Sequence, residues 1–319
     1  MSKPLQSAWA KGAPKFTSCK PVNSVGSVGP VIPPINNTNN IVLPPAPPTQ
    51  VQQSQSQKTT AGTSQVPHFN FASDSFKTIG EYFHTNGFVI IDNAISPEQI
   101  GKLKKELYAV QQANPINSNK KYAGSHSMHK CFFEHSPTTV DIIESSKLAD
   151  FAQWIIADVP DTRVNNSSLK AHVIHNNAFS VPPGGRGQAP SWHVDDPMQQ
   201  VIIPYGKELP DWIKLPVLVC TYMIWLSDCD TPENGPTYVV PGSHRYGQVV
   251  EQEYAEANGI PACGKAGTAV LVNANVWHRG CANTSNHARD TLQITWARRI
   301  IGHKHKSIMN YNMPAHVCA

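Results

Sequence analysis

The stretch TAVLVNANVWHRGCANTSNHARDTLQITWAR, residues 268–298, decides the fold. Its apolar or alternating runs, 268–272, 276–282 and 289–300, are parted by Asn, Gly and Ser, the punctuation of short strands. The same texture reaches back to Leu169, with further strands expected at 169–181, 189–195, 198–203, 217–226 and 236–240. Short strands in succession, preceded by helices, predict a mainly β domain with flanking helices, a buttressed β-sandwich or jelly roll. Helical segments do not alternate with these strands, which argues against a parallel doubly wound sheet. Neither a GxGxxG nor a Walker-type loop follows a strand, so nothing is offered to cradle a nucleotide phosphate.

Upstream, a helix is predicted near Ser73–His84, closed by Asn86-Gly87, where positive φ is tolerated, and a strand follows at 88–92. Ser96-Pro97-Glu98-Gln99 then supplies an N-cap, a first-turn proline and a capping-box glutamine ahead of Ile100, Leu103, Leu107 and Val110. Another helical stretch is predicted over 139–157. No internal repeat is visible, which sets solenoids and propellers aside.

Charge divides the chain. No acidic residue precedes Asp74, and residues 1–73 hold five lysines, so this stretch carries +5 while the other 246 residues, with 21 basic against 22 acidic groups, carry −1. The excess positive charge belongs to the tail, which argues against a basic nucleic-acid-binding body. The tail also holds 11 of the 27 prolines and polar runs such as Gln50–Gln57. Too little of it is apolar to offset ordering entropy, so residues 1–68 read as a disordered basic Pro/Gln/Asn-rich tail and 69–319 as one folded domain. The tail is a candidate for binding an unidentified partner. No apolar run is long enough to span a membrane, and the N-terminus lacks a signal-peptide core. The seven cysteines are scattered and never spaced CxxC, as suits reduced thiols. An intracellular, cytoplasmic protein is expected; organellar targeting by the acid-free start stays open, although the absence of Arg before Arg163 argues against it.

The chemistry gathers around Trp192-His193-Val194-Asp195-Asp196. In extended chain, residues i and i+2 share a face, so His193 and Asp195 can meet one ion while Asp196 points away. A lone His-x-Asp arises often by chance. A second imidazole, His278 after the apolar strand 269–272, completes two histidines and one carboxylate, the facial triad that leaves open positions on Fe(II). Thiolates would be expected for structural zinc. Eleven residues beyond His278, Arg289 opens the last strand. Read alone it is an ordinary salt-bridging residue; beside the triad it offers the guanidinium fork that a keto-acid carboxylate requires.

His-x-Asp, a histidine about eighty residues on and an arginine eleven later together resemble the Fe(II)/2-oxoglutarate dioxygenases, and specifically the phytanoyl-CoA dioxygenase-like family. EYFHTNGFVIIDNAISPEQI (81–100), VPPGGRGQAPSWHVDD (181–196) and ENGPTYVVPGSHRYG (233–247) are similar to that family's opening segment, its loop into the metal strand and its central hairpin. The resemblance implies a cupin-like double-stranded β-helix, with Fe(II) held by His193, Asp195 and His278 and with dioxygen as co-reactant. It further implies that Arg289 grips 2-oxoglutarate, with Asn177 near this cosubstrate and Trp225 walling its pocket. Gly280 stands where some relatives carry a hydroxyl residue. Because halogenating relatives lack the carboxylate, Asp195 favours hydroxylation of a small organic substrate.

Other residues have plainer readings. Pro241-Gly242-Ser243-His244 reads as a hairpin turn, His126, His129 and His135 as a loop before the core, and His172 and His175 as hydrogen-bonded structural histidines. Arg298–Lys306 reads as a solvated charged edge, and the segment 197–216, with Tyr205, Leu209, Trp212 and Ile213, as a lid or packed insertion. Two alternatives stand beside the dioxygenase: a non-catalytic jelly roll retaining the metal ligands, and a metal-dependent cupin enzyme that does not use 2-oxoglutarate. Arg289 discriminates the latter.

Overall fold

The computed structural model describes residues 66–113, 127–157, 171–187, 189–195, 209–210, 212–213, 215–246 and 250–302. The expected strand at 198–203, His126, Asp196, Tyr205 and the end of the charged edge lie outside them.

The elements run β1 (His68–Phe69), α1 (Phe76–Asn86), β2 (Phe88–Ile91), α2 (Pro97–Ala113), β3 (Ser127–Lys130), α3 (Pro137–Ser145), α4 (Lys147–Ala157) and β4 (Ala171–Val181). There follow β5 (Val219–Trp225), β6 (Tyr238–Val239), α5 (Gln252–Asn258), β7 (Ile260–Pro261), β8 (Ala269–Asn273), β9 (His278–Arg279), β10 (Arg289–Arg298) and α6 (Arg299–Gly302). Seven strands form one sheet in the order β1-β2-β8-β5-β10-β4-β3, antiparallel except for the β1/β2 pair. A smaller sheet, β7-β6-β9, completes a double-stranded β-helix.

The central strands of the large sheet are buried on both faces, which explains why they read as apolar runs and not as clean alternation. On β2, Val89 and Ile91 pack with Leu103, Leu107, Phe151 and Ile155 under the helices, while Phe88 and Ile90 join Met223, Trp225, Val239 and Val270 between the sheets. A register slip of one residue would exchange the two cores, so the pairing is strongly specified.

Local chemistry places the helices as the sequence suggested. Gly87 ends α1 at φ 77°, and a Cβ there would come within 2.2 Å of Val276 and 2.6 Å of His244. Ser96 and Gln99 exchange capping-box bonds at α2. The continuous helix expected over 139–157 is instead divided at Ser146. Its backbone is extended, and its hydroxyl donates to the Ile142 carbonyl at 2.6 Å while accepting from the Ala149 amide, so one side chain ends α3 and starts α4. The boundary expected at residue 68 falls within β1, where His68 pairs with Ile90 and its imidazole meets the Asp92 carboxylate at 2.9 Å. The described cysteines, 131, 220, 229, 263 and 281, are all free thiols.

Candidate metal centre

The segment 189–195, expected as a strand, makes a single bridge. His193 and His278 exchange backbone hydrogen bonds of 2.9 Å in both directions, and the Asp195 amide donates to the Ala274 carbonyl at 3.0 Å. Pro190 lacks a donor and Ala189 has φ 46°, so regular pairing cannot extend backward.

That short pairing brings the three expected side chains together. One ligand atom from each of His193, Asp195 and His278 lies within 4.8 Å of the others. His278 Nε2 is 3.6 Å and His193 Nε2 is 4.0 Å from an Asp195 oxygen. Each imidazole meets a carbonyl through Nδ1, His193 at Ser191 and His278 at Val276, both at 2.8 Å. A carbonyl only accepts, so both Nδ1 atoms carry a proton, which makes Nε2, on the side of the carboxylate, the atom of each neutral ring that offers a lone pair to a metal. Fixing the tautomer through the other ring nitrogen is how protein imidazoles are prepared as metal ligands.

Electrostatics agree with that donor set. Burial alone would raise the Asp195 carboxyl, but His278 and His193, with a smaller contribution from His175, hold it below its ordinary value. The reciprocal effect raises His278 against its burial. Among the described residues no thiolate joins the group, and two imidazoles with one carboxylate suit Fe(II) with open coordination positions.

Arg289 is 2 % exposed, with its guanidinium 5.7 Å from the ring centres of both Phe179 and Trp225. Its Nε–H has no hydrogen-bond partner, and among the described residues no carboxylate ion-pairs with it. The salt bridge expected of an ordinary strand-start arginine is therefore missing. Two further buried polar atoms nearby are unpartnered: the indole N–H of Trp225, and the hydroxyl of Thr291, which pairs across strands with both Trp225 and Phe179. Arg289 and Thr291, two apart on β10, share the inner face. The sequence marks Thr291 only by its position at i+2 from Arg289.

Asn177 is buried on β4, its amide bonded to His175 Nε2 at 2.8 Å and to Gln293 Oε1 at 3.1 Å. His175 thus has the structural bond expected of it. Trp225 lies wholly in the inter-sheet core as well as against Arg289. His129 departs from its reading as a loop residue: it is in β3, 3 % exposed, with both ring nitrogens unpartnered. His244 stays a turn residue, bonding the His84 carbonyl at 3.1 Å. Of the candidate lid, Leu209 is tied to Arg245 through its amide and its carbonyl.

A jelly roll that carries a His-x-Asp/His group and, among the described residues, a buried arginine with no ion-pair partner is the framework of an oxidoreductase of the dioxygenase class, whose cofactors are iron and 2-oxoglutarate. Residues 83–291 match the family model described as phytanoyl-CoA dioxygenase. The chain belongs to that family. It is 24 % identical to ectoine dioxygenase of Sphingopyxis alaskensis, over 65 % of this chain and 71 % of that protein. It is likewise 24 % identical to the multifunctional dioxygenase prhA of Penicillium brasilianum, over 72 % and 74 %. Among solved structures, HygX from Streptomyces hygroscopicus with nickel and 2-oxoglutarate bound superposes with a TM-score of 0.52 at 14 % identity, covering 69 % of this chain and 86 % of that one. No helix among the described residues is long and apolar enough to cross a membrane.

Proposed function

We propose that this protein hydroxylates an aliphatic C–H bond of a small organic substrate, using Fe(II), 2-oxoglutarate and dioxygen. The observation that carries the reading is the cluster of unpartnered buried polar atoms at Arg289, Trp225 and Thr291. A buried guanidinium without a counter-charge is costly, and a dicarboxylate end offers what it lacks.

In this reading His193 and His278 bind the metal through Nε2 and Asp195 through its carboxylate. Bound iron would supply the oxidising power, with dioxygen giving one oxygen atom to the succinate formed, with carbon dioxide, from 2-oxoglutarate and the other to the substrate C–H. The protein orients these groups and keeps water out. Arg289 takes the distal carboxylate of 2-oxoglutarate, Thr291 and the Trp225 N–H complete its hydrogen bonds, and the Trp225 ring walls the pocket. Asn177, fixed by His175 and Gln293, presents a set polar surface on the same sheet. Asp195, filling the third ligand position, leaves no place there for a halide, which favours hydroxylation.

Succinate formed from 2-oxoglutarate with added Fe(II), over a panel of small substrates, tests the reading. Asp195→Ala is expected to abolish metal binding and turnover while leaving the protein folded; undiminished succinate in that variant would refute the triad. No succinate and no 2-oxoglutarate binding in the unaltered protein would favour a binding jelly roll or a cupin enzyme of another kind. We assign the protein to the cytoplasm and read the N-terminal tail as a separable segment available to an unidentified partner. Turnover that survives removal of the residues before β1 supports that division, and loss of turnover refutes it.

A further inference from the structure

The two histidine-bearing segments share one β-bridge at His193 and His278, flanked by single backbone bonds from Gly280 to the Ala189 carbonyl at 2.9 Å and from Asp195 to the Ala274 carbonyl at 3.0 Å, and a side-chain connection lies on the opposite face. Residues next to the metal ligands project away from them, as alternation requires. Trp192, beside His193, and Arg279, beside His278, therefore meet behind the centre. The Arg279 guanidinium stacks 5.0 Å from the centre of Trp192 and 5.4 Å from that of Tyr238, its cross-strand partner on β6. Glu256 of α5 closes the group, accepting from Arg279 at 3.0 Å through one oxygen and from the Trp192 indole at 2.8 Å through the other.

The surroundings are shaped to this contact. Gln252, one turn earlier on α5, donates to the Trp192 carbonyl at 3.0 Å. Gly259, at the end of the same helix, leaves room for the indole: a Cβ there would stand 2.2 Å from its ring edge. Segment 189–195 has no regular ladder; backbone bonds at Ala189, His193 and Asp195 hold it, and on the face away from the ligands its hold comes from the contacts of Trp192.

We propose that Arg279, through Trp192 and Glu256, is a positioning residue that sets the spacing of the two imidazole Nε2 atoms and thereby the affinity of the site for its metal. It touches neither metal nor substrate. The proposal rests on the metal-site reading above. Arg279 holds Trp192 by stacking and by sharing an acceptor, while its own backbone carries His278 into place. Arg279→Ala leaves Trp192 bonded to Glu256 and Gln252 but strips the guanidinium from its ring face, loosening the hold on the His193 segment from behind the ligands.

The test is a titration of the metal-stripped full-length protein with Co(II), following its visible absorption, for the unaltered protein, Arg279→Ala, Arg279→Lys and Trp192→Phe. Supporting partners behind metal ligands are commonly worth about 10- to 100-fold in metal affinity, and a loss of that size is expected for Arg279→Ala. Arg279→Lys, which retains the ion pair but not the planar stack, should fall between. Trp192→Phe, which retains a ring but loses the indole N–H, should also weaken binding, and it serves if Arg279→Ala fails to fold. A second readout separates positioning from general damage: with excess metal, succinate formation by Arg279→Ala should return to within about 2-fold of the unaltered rate, because the loss lies in metal affinity. Folded variants that bind Co(II) as tightly as the unaltered protein, or a rate that excess metal does not restore, would overturn the proposal. If the unaltered protein binds no Co(II), the metal-site reading fails and the clamp with it.

Discussion

Arg289 and Asp290 are neighbours in the chain, both are buried, and they face opposite sides of β10 without pairing. Asp290 points under the helices, where Tyr108 and Ser180 each donate to it at 2.6 Å and Lys104 lies 3.7 Å away. Arg289 points between the sheets, where burial holds its guanidinium below its ordinary value and, among the described residues, no carboxylate ion-pairs with it. Replacing it with an apolar residue of similar length should therefore separate binding from stability. Arg289→Met is expected to lose about 2–5 kcal/mol of 2-oxoglutarate binding, and without ligand to be at least as stable as the unaltered protein. Titration calorimetry with 2-oxoglutarate and urea unfolding without it check the two halves. Unchanged affinity would remove Arg289 from the cosubstrate site.

Tyr108 reaches Asp290 from α2, and this contact pins the start of β10. Partial burial and the Asp290 carboxylate push the phenol up to about 12. Tyr108→Phe withdraws one donor from a buried carboxylate, so a stability loss of about 1–3 kcal/mol is expected, measured by urea unfolding at neutral pH.

The pH dependence of stability should carry a term from His244. Burial pushes its imidazole down to about 4, despite the hydrogen bond to the His84 carbonyl. The folded value lies below the ordinary 6.5, so as pH falls the unfolded chain takes up this proton first. The contribution is complete above 6.5 and is lost as pH falls toward 4, up to about 3 kcal/mol over that window. His129, pushed down by burial and by His135, adds a slope of the same sign. Unfolding curves from pH 7 to 4 should be flatter for His244→Gln than for the unaltered protein; parallel curves would contradict this.

The candidate site residues were legible as a group because their signals are local: His193 and Asp195 share a face at spacing two, and His278 and Arg289 sit at the starts of β9 and β10. The long strands β4, β5, β8 and β10 carry apolar runs that sequence periodicity finds. Two-residue strands such as β1 and β7 have no pattern to detect, and β3 consists of Ser, Met, His and Lys. Segment 189–195 alternates like a strand, but Ala189 and Pro190 deny it the ladder. Contacts such as Trp192–Glu256, 64 residues apart, and His175–Asn177–Gln293, on two strands, exist only once the sheets close. Ser146 looked like one more helical residue, although its hydroxyl divides the helix.

The central claim is that one centre holds Fe(II) through His193, Asp195 and His278 while Arg289 holds 2-oxoglutarate beside it. Anaerobic titration of the metal-stripped protein with Fe(II) and 2-oxoglutarate, followed by visible absorption, tests it most directly. A charge-transfer band that needs both additions, vanishes in Asp195→Ala and requires far more 2-oxoglutarate in Arg289→Met is the predicted result. No band in the unaltered protein, or one that persists unchanged in Asp195→Ala, would contradict the account.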